Sequence, residues 1–126
     1  MSTLKGRVSL ITGGNSGIGY ATAKKFKEEG ATVIITGRST EKVESAALEL
    51  GVKGVVADVS DLSAIDRAVA QVAHEFGKID ILFVNAGIFI PMPVGQSSED
   101  GFDNLMDINF KGAVFTIEKF LPILND

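Results

Sequence analysis

The chain has 126 residues and a formal net charge of −4, and it contains no cysteine. Its length fits one domain, and its acidic balance with scattered Lys and Arg disfavours a nucleic-acid or anionic-membrane surface. The lack of cysteine excludes disulfides and thiolate-metal sites, and we expect no metal. No apolar run approaches the roughly 20 residues that a membrane helix needs. We therefore expect a soluble, cytoplasmic protein.

Short apolar runs alternate with longer amphipathic stretches along the chain. Strands are predicted at Val8–Thr12, Thr32–Thr36, Gly54–Ala57 and Ile79–Val84. Helices are predicted at Gly17–Glu29, from the cap Ser39 to Gly51, from Asp61 to Gly77 and after the cap Ser98. Strict strand–helix alternation predicts a parallel sheet with helices on both faces. The right-handed crossover rule then favours strand order 3-2-1-4, the first part of a doubly wound α/β fold.

A glycine-rich turn, residues 12–19 (TGGNSGIG), joins the first predicted strand to the first predicted helix. Gly13 permits a tight turn, and Gly17 and Gly19 lack the Cβ that would block a pyrophosphate or the contact between helix and strand. The helix N-terminus offers unpaired N–H groups and a positive dipole end to a phosphate. A purely structural turn is the alternative. Tyr20 and Ala21 stand where a nucleotide-hydrolysing loop needs Lys and Ser or Thr, which excludes that class.

Four motifs, in order and at the expected distances, resemble those of the short-chain dehydrogenase/reductase family. They are the T-G-x-x-x-G-x-G turn at 12–19, Asp58-Val59, Asn85-Ala86-Gly87, and Asn109 inside the fourth predicted helix. The resemblance covers the whole chain. It implies a Rossmann-type fold and an NAD(P)-dependent oxidoreductase that interconverts an alcohol and a ketone by hydride transfer. A sugar epimerase of the extended branch would favour G-x-x-G-x-x-G, and a methyltransferase has another glycine spacing.

The resemblance also implies a role for each motif residue. Contact with the cofactor is assigned to Gly13, Asn15, Ser16 and Ile18, with Gly17 and Gly19 giving backbone clearance. Asp58 would accept a hydrogen bond from the adenine amino group beside the Val59 backbone, unless it is a plain cap or loop acid. The nicotinamide-side ribose would be lined by Asn85, Ala86 and Gly87, which could otherwise only end a strand.

The preferred cofactor is predicted from the end of the second strand. NAD enzymes of this type usually place an Asp or Glu there, which binds the ribose hydroxyls and repels a 2′-phosphate. Here Gly37 holds that position, and Arg38 and Ser39 follow it. Arg suits a phosphate through its forked donors and permanent charge. We therefore expect NADP(H) over NAD(H); the alternative is that Arg38 only pairs with a carboxylate such as Glu41.

The catalytic residues of the family are largely missing from this sequence. Of them only Asn109 has a counterpart, which the family uses with bound water to link its catalytic Lys to solvent; the alternative is an amide satisfied by local backbone. Tyr20 and Lys24 have Tyr-x-x-x-Lys spacing, but they lie beside the phosphate end of the predicted site, and we interpret the spacing as coincidence. The resemblance thus implies that 1–126 is a dinucleotide-binding portion cut before a fifth strand and the catalytic half, and inactive alone. A non-catalytic nucleotide-binding or assembly module is the alternative.

Two apolar surfaces predict a homo-oligomer. The fourth strand is expected to be an open edge, which invites pairing with another chain. The fourth helix carries apolar residues on more than one face: Leu105, Ile108 and Phe115, against Met106, Phe110, Val114, Ile117 and Leu121. In the family this helix packs on the sheet and on a partner subunit.

Overall fold

The computed structural model describes residues 3–88, 95 and 98–125. Its elements in chain order are β1 (Val8–Thr12), α1 (Gly17–Glu28), β2 (Thr32–Gly37), α2 (Thr40–Leu50), β3 (Lys53–Val56), α3 (Leu62–Phe76) and β4 (Ile81–Phe83). They are followed by α4 (Glu99–Met106), a π-helical turn (Asp107–Gly112), α5 (Ala113–Phe120) and a short 3₁₀ turn (Leu121–Ile123). The predicted loop Ile88–Ser97 falls mostly outside the described residues.

The four strands form one parallel sheet in the order β3-β2-β1-β4. Leu10 in the middle of β1 pairs in register with Ile34 of β2 on one side and Leu82 of β4 on the other. The predicted strand order and parallel orientation are therefore confirmed. This arrangement brings the carboxyl ends of β1 and its neighbours to one edge of the sheet, where ligands bind in open α/β folds.

Helices cover both faces of the sheet, because strand side chains alternate between two buried clusters. On one face, Leu10 and Ile34 belong to a cluster that also contains Ile65 and Val72 of α3 and Phe120 of α5. On the other, the members include Ile11, Val33 and Ile35 from the strands, Ala23 from α1 and Ala46 from α2. The α/β architecture is thus confirmed, and burial of each such Ile or Leu contributes about 1.5–3 kcal/mol.

Three polar residues begin helices as the sequence predicts, namely Ser39, Asp61 and Ser98. The Ser98 side chain accepts a hydrogen bond from the backbone N–H of Gly101 at 3.0 Å at the start of α4. The Ser39 side chain accepts a hydrogen bond from the backbone N–H of Lys42 at the start of α2. The Asp61 carboxylate accepts from the N–H groups of Ser63 and Ala64 at the start of α3. Such caps satisfy donors that lack an intrahelical acceptor. They fix where α2 and α3 leave the carboxyl edge of the sheet.

The edge of the fourth strand differs from the prediction. β4 spans only Ile81–Phe83, and Ile79 before it forms a parallel bridge with Leu124. The Ile79 N–H donates to the Ile123 carbonyl at 2.9 Å, and the Asn125 N–H donates to the Ile79 carbonyl at 2.8 Å. The expectation of a fully open edge was therefore wrong at its amino end, because the backbone of 123–125 occupies the position of a fifth strand there.

The fourth predicted helix is not one regular helix. Residues 107–112 form a π-helical turn between α4 and α5. Gly112 in this turn packs so closely that an added Cβ would lie 2.8 Å from the Val59 carbonyl oxygen. A π turn inserts one residue into the helical repeat and often accompanies a functional position. Here the π turn lets the helix approach the Val59 loop, while the Asn109 side chain contacts the segment after β4.

The two apolar faces of that helical segment have different surroundings. Ile108 and Phe120 are buried, and Phe115 packs against the same cluster. The other face is solvent-exposed, with 38–62% of each residue's surface accessible, in Met106, Phe110, Val114, Ile117 and Leu121. In the described part of the chain, none of the helices combines the length and apolarity needed to cross a lipid bilayer.

Candidate functional site

A cavity of about 380 Å³ opens at the carboxyl edge of the sheet. Most of the site residues expected from the sequence line it: Gly13, Asn15, Ser16, Ile18, Arg38, Ser39, Asp58, Val59, Asn85, Ala86 and Gly87. The lining also contains residues that were not among the predicted cofactor contacts: Thr36, Gly37, Lys42, Ala57, Ile88 and Ile108. Gly17, Gly19 and Asn109 are not part of the lining. Lys42 could have been found in the sequence from its place in the first turn after the Ser39 cap.

Thr12 connects two of the segments that line the cavity. Its side chain is buried, and its Oγ1 accepts hydrogen bonds from the N–H groups of both Asn85 and Ala86, each at 2.9 Å. The Asn85 side-chain amide in turn donates to the Gly13 carbonyl at 3.3 Å. These bonds tie the segment after β4 to the turn after β1. Sequence reasoning missed Thr12 as the residue that joins the two motifs.

Two glycines of the turn are required by close approach of other atoms. A Cβ on Gly19 would lie 2.6 Å from the Asn85 side-chain nitrogen and would also collide with the Gly13 carbonyl. Gly13 has a φ of +66° and would place a Cβ 3.0 Å from the Ala86 Cα. The first turn of α1 can therefore reach the sheet only because these positions carry no side chain.

Gly17 is required by its backbone conformation and not by contact with other protein atoms. A Cβ there would meet no atom of the described chain within 4 Å, so clearance of protein atoms does not require glycine. Its φ of +57° does require glycine, because residues with a side chain disfavour this left-handed conformation. Clearance for a ligand at Gly17 stays a prediction.

The N-terminus of α1 has donors available for a ligand. Ser16 is the N-cap residue in extended conformation, but its side chain makes no capping hydrogen bond. The first N–H groups of a helix have no intrahelical acceptor, and together with the helix dipole they favour an anion. Ser16 and Ile18, the latter 72% exposed, both line the cavity. This end of the cavity suits a phosphate group.

Cationic side chains lie at the end of β2. Arg38 is exposed beside Ser39 and Lys42 in the cavity lining. Among the described residues, Arg38 forms no ion pair with Glu41 or any other carboxylate within 4.0 Å. The alternative in which Arg38 serves only to bind Glu41 therefore has no support in this structure.

Asp58 is a loop acid that also borders the cavity, and its predicted contact with adenine stays a prediction. Its Oδ1 accepts hydrogen bonds from the Ser60 N–H at 2.9 Å and the Ser60 hydroxyl at 2.7 Å, as a loop acid does. Its half-buried carboxylate also lines the cavity. The turn at Ser60 holds one carboxylate oxygen, so the other is the atom that a ligand donor can use.

Asn109 contacts the segment after the Asn85-Ala86-Gly87 motif. Its Oδ1 accepts from the Ile88 N–H and its Nδ2 donates to the Ile88 carbonyl, both at 2.7 Å. The amide is thus satisfied by backbone, although by a segment 21 residues away and not by its own helix. Within the described chain Asn109 positions Ile88 at the cavity, and its catalytic role stays a prediction.

Tyr20 points away from this cavity. Its hydroxyl donates to the Glu49 carboxylate of α2, and both residues line a separate shallow groove. This hydrogen bond, with a smaller contribution from burial, raises the pKa of Tyr20 above its ordinary value. A proton-transfer tyrosine needs a lowered pKa. The position agrees with the interpretation of the Tyr20–Lys24 spacing as coincidence.

The sequence matches the family model for short chain dehydrogenase over residues 7–126. An oxidoreductase, asL5 of Sarocladium schorii, is 41% identical over 123 residues, which are 96% of this chain and 49% of the relative. Galactitol 2-dehydrogenase of Agrobacterium fabrum is 41% identical over 117 residues, 91% of this chain and 46% of the relative. The chain spans about half the length of the curated relatives it matches.

Solved structures with the same fold include two bacterial proteins. A short-chain dehydrogenase/reductase of the glucose/ribitol dehydrogenase type from Brucella melitensis superposes with a TM-score of 0.93 at 30% identity, over 98% of this chain and 54% of that one. Pseudomonas aeruginosa RhlG, solved as an active-site complex with NADP, superposes with a TM-score of 0.91 at 29% identity, over 95% of this chain and 48% of that one.

Proposed function

This chain belongs to the short-chain dehydrogenase/reductase family, and from that premise we propose that its cavity binds NADP(H) in preference to NAD(H). The main observation behind this proposal is that three features lie around one cavity. These are the uncapped N-terminus of α1, the Arg38–Lys42 segment and the Asp58 carboxylate. We propose that they bind, in order, the pyrophosphate, the 2′-phosphate and the adenine amino group of NADP(H).

The fit to a dinucleotide is supported by space and by donor chemistry. The glycines at 13 and 19 let the first turn of α1 pack closely against the segment after β4, and we propose that the unpaired N–H groups at this helix end bind the phosphate oxygens. Arg38 is without a carboxylate partner in the described structure, and a bound 2′-phosphate would supply an anionic one. The NADP complex of RhlG belongs to a protein of the same fold and gives this choice of cofactor a precedent.

The reaction proposed for this sequence within a full-length protein of the family is alcohol–ketone interconversion. When bound, the nicotinamide supplies or accepts the hydride. The residues proposed to line its ribose are Asn85, Ala86 and Gly87, with Asn109 holding Ile88 beside them. Tyr20 is the only tyrosine of the sequence, and it binds Glu49. We therefore propose that this chain binds the cofactor but does not by itself catalyse the reaction.

The cofactor preference is tested by reversing the charge at Arg38. Arg38→Asp should weaken NADPH binding and invert the ratio of the NADPH and NADH dissociation constants, measured by fluorescence titration. Arg67→Asp is the matched control, because Arg67 is equally a surface arginine but lies on α3 outside the cavity. A wild-type ratio favouring NADH, or equal effects of the two substitutions, would contradict the NADP(H) proposal.

A homo-oligomer is the second part of the proposal. Five neighbouring apolar side chains from Met106 to Leu121 are exposed on one face of the α4–α5 segment, and contiguous apolar surface of this kind marks an interaction site. Phe110→Glu with Val114→Lys should then lower the mass measured by light scattering. A wild-type chain that is monomeric at high concentration would contradict the homo-oligomer proposal.

A cytoplasmic location also stays a prediction.

A further inference from the structure

The π-helical turn contacts two separate segments that line the cavity. At Asn109 its side chain makes two hydrogen bonds with the Ile88 backbone, both at 2.7 Å. Further along the turn, at Gly112, it packs on the loop after β3, where an added Cβ would lie 2.8 Å from the Val59 carbonyl oxygen. One short turn thus joins the segment after β3 to the segment after β4.

Close packing, and not backbone conformation, requires glycine at position 112. Its φ of −59° and ψ of −42° are ordinary helical values. Alanine is the better helix former, so the local conformation gives glycine no advantage. A Cβ on Gly112, however, would also lie 3.0 Å from the Val59 Cγ2 and 3.0 Å from the Asp107 carbonyl oxygen. The missing side chain is what lets the turn lie against the loop.

The loop that contains Val59 is held by bonds of its own. The Asp58 carbonyl accepts a hydrogen bond from the Asp61 N–H at 2.9 Å, and the Asp58 carboxylate accepts two from Ser60. Val59 is buried and belongs to the core cluster that contains Leu10 and Ile34. A side chain at position 112 would therefore displace the π turn and not the loop.

The Ile88 backbone would follow such a displacement. Its N–H and its carbonyl are both hydrogen-bonded to the Asn109 amide. This amide packs so closely that a Cβ on Gly87 would lie 3.0 Å from the Asn109 Oδ1. Gly87 and Ile88 line the cavity, and so does Ile108, which precedes Asn109 in the turn. A shift of the turn would thus reach the end of the cavity that we propose for the nicotinamide-side ribose.

We infer that Gly112 is a positioning residue for the cofactor: its missing side chain sets the distance between the Val59 loop and Ile88 through the π turn. Gly112 itself is not part of the cavity lining. The inference rests on the proposed function, because Val59 borders the end proposed for adenine and Ile88 the end proposed for the nicotinamide-side ribose. A change at position 112 should then affect a ligand that spans both ends more than one that occupies the adenosine end alone.

The probes are NADP⁺ and adenosine 2′,5′-bisphosphate, which share the adenosine half and differ in the nicotinamide half. Isothermal titration calorimetry gives both dissociation constants, and their ratio is the gain in affinity that the nicotinamide half provides. Gly112→Ala should reduce this gain about fivefold to tenfold, the size of about one lost hydrogen bond. The affinity for the bisphosphate should change less than the affinity for NADP⁺.

Gly54→Ala is the matched control. A Cβ on Gly54 would lie 2.8 Å from the Val43 Cγ1, so this substitution also crowds the core, but Gly54 lies on β3 and outside the cavity lining. Gly54→Ala should lower thermal stability as Gly112→Ala does, and leave the gain unchanged. Equal reductions of the gain in the two variants would mean that Gly112 acts through stability alone, which overturns the inference.

Hydrogen exchange at the Ile88 N–H follows the position of Asn109 directly, because this N–H donates to the Asn109 Oδ1. Measured by NMR and compared with amides of β1, its exchange should be about fivefold faster in Gly112→Ala than in the wild type, as expected for local opening of one hydrogen bond. Gly54→Ala should leave this comparison unchanged. If Ile88 exchanges at the wild-type rate in Gly112→Ala, the turn does not carry Asn109 with it and the inference fails.

The outcomes separate the inference from the proposal beneath it. A wild-type chain that binds neither probe overturns the proposed function and the inference together. If the wild type binds the bisphosphate but gains nothing from the nicotinamide half, the inference alone fails. Should Gly112→Ala not fold, as judged by circular dichroism, Asn109→Ala breaks the same connection at its other end, and an unchanged gain in that variant overturns the inference.

Discussion

The two edges of the sheet use polar side chains in opposite ways. At the amino edge, Asp80 accepts hydrogen bonds from the Val8 N–H at 2.8 Å and the Asn125 side chain at 2.9 Å, with Arg7 3.9 Å away. At the carboxyl edge, the described structure gives the side chains of Arg38 and Asn15 no partner, although both line the cavity. Protein groups thus satisfy Asp80 at the amino edge, whereas Arg38 and Asn15 at the carboxyl edge have no protein partner among the described residues and are proposed to meet a ligand.

From this difference we expect that a single sheet separates residues needed for stability alone from residues needed for ligand binding. The amino edge joins three segments, at Val8, Asp80 and Asn125, through one carboxylate. At the carboxyl edge, the buried Thr12 hydroxyl and the close packing of Gly19 hold the segments that line the cavity. The side chains of Arg38 and Asn15 take no part in these contacts. Substitutions below the cavity should therefore reduce both stability and binding, whereas those at the amino edge should affect stability alone.

The largest effect is expected at Gly19. In Gly19→Ala the new methyl group meets the Gly13 carbonyl and the Asn85 side chain, so the turn must move or the helix must withdraw. Overpacking against backbone should cost about 3 kcal/mol of unfolding free energy and remove nucleotide binding. Gly17→Ala, which meets open space but has an unfavourable φ, should cost only about 1 kcal/mol. Urea denaturation compares the two; equal losses would contradict the contrast.

Thr12→Val should be the next most damaging change. It keeps the shape of the side chain but removes the acceptor of the Asn85 and Ala86 N–H groups. Leaving the N–H groups of the half-buried Asn85 and Ala86 without an acceptor should cost about 2 kcal/mol. Thr12→Ser retains the hydroxyl and is the control. If denaturation gives the Thr12→Val and Thr12→Ser variants the same free energy of unfolding, the hydroxyl does not join the two motifs.

The amino edge gives a prediction about pH. Hydrogen bonds from the Val8 N–H and then from Asn125, with a smaller contribution from Arg7, lower the pKa of Asp80. A carboxyl group with a lowered native pKa stabilises the fold above its unfolded-state pKa of about 4, and this stabilisation is lost as pH falls through the native value. Asp80→Asn should flatten the decline of Tm below about pH 4, with nucleotide affinity at pH 7 unchanged. A decline as steep as that of the wild type would exclude this role.

The smallest effects are expected where buried hydroxyls have no partner. The Ser9 and Thr116 hydroxyl oxygens are buried and make no hydrogen bond among the described residues. Their removal in Ser9→Ala and Thr116→Val should leave stability unchanged or raise it by up to about 1 kcal/mol. Thermal denaturation detects the change, and a clear destabilisation would indicate that these hydroxyls have partners.

Local signals in the sequence predicted much of this molecule. Ser39 and Asp61 cap helices because capping depends on residues only two or three positions away. Strand order followed from the alternation of elements. The π turn was not predictable, because it accompanies the Asn109–Ile88 hydrogen bonds and the packing of Gly112 on Val59, which join distant segments. The Ile79–Leu124 bridge was missed for the same reason.

The most direct test of the contrast between the edges is chemical-shift mapping of backbone amides during titration with adenosine 2′,5′-bisphosphate. The account predicts the largest shifts at Ser16–Gly19 and Arg38–Lys42, with amides near Asp80 unchanged. A saturable titration that moved the Asp80 region and left the glycine turn unaffected would contradict it.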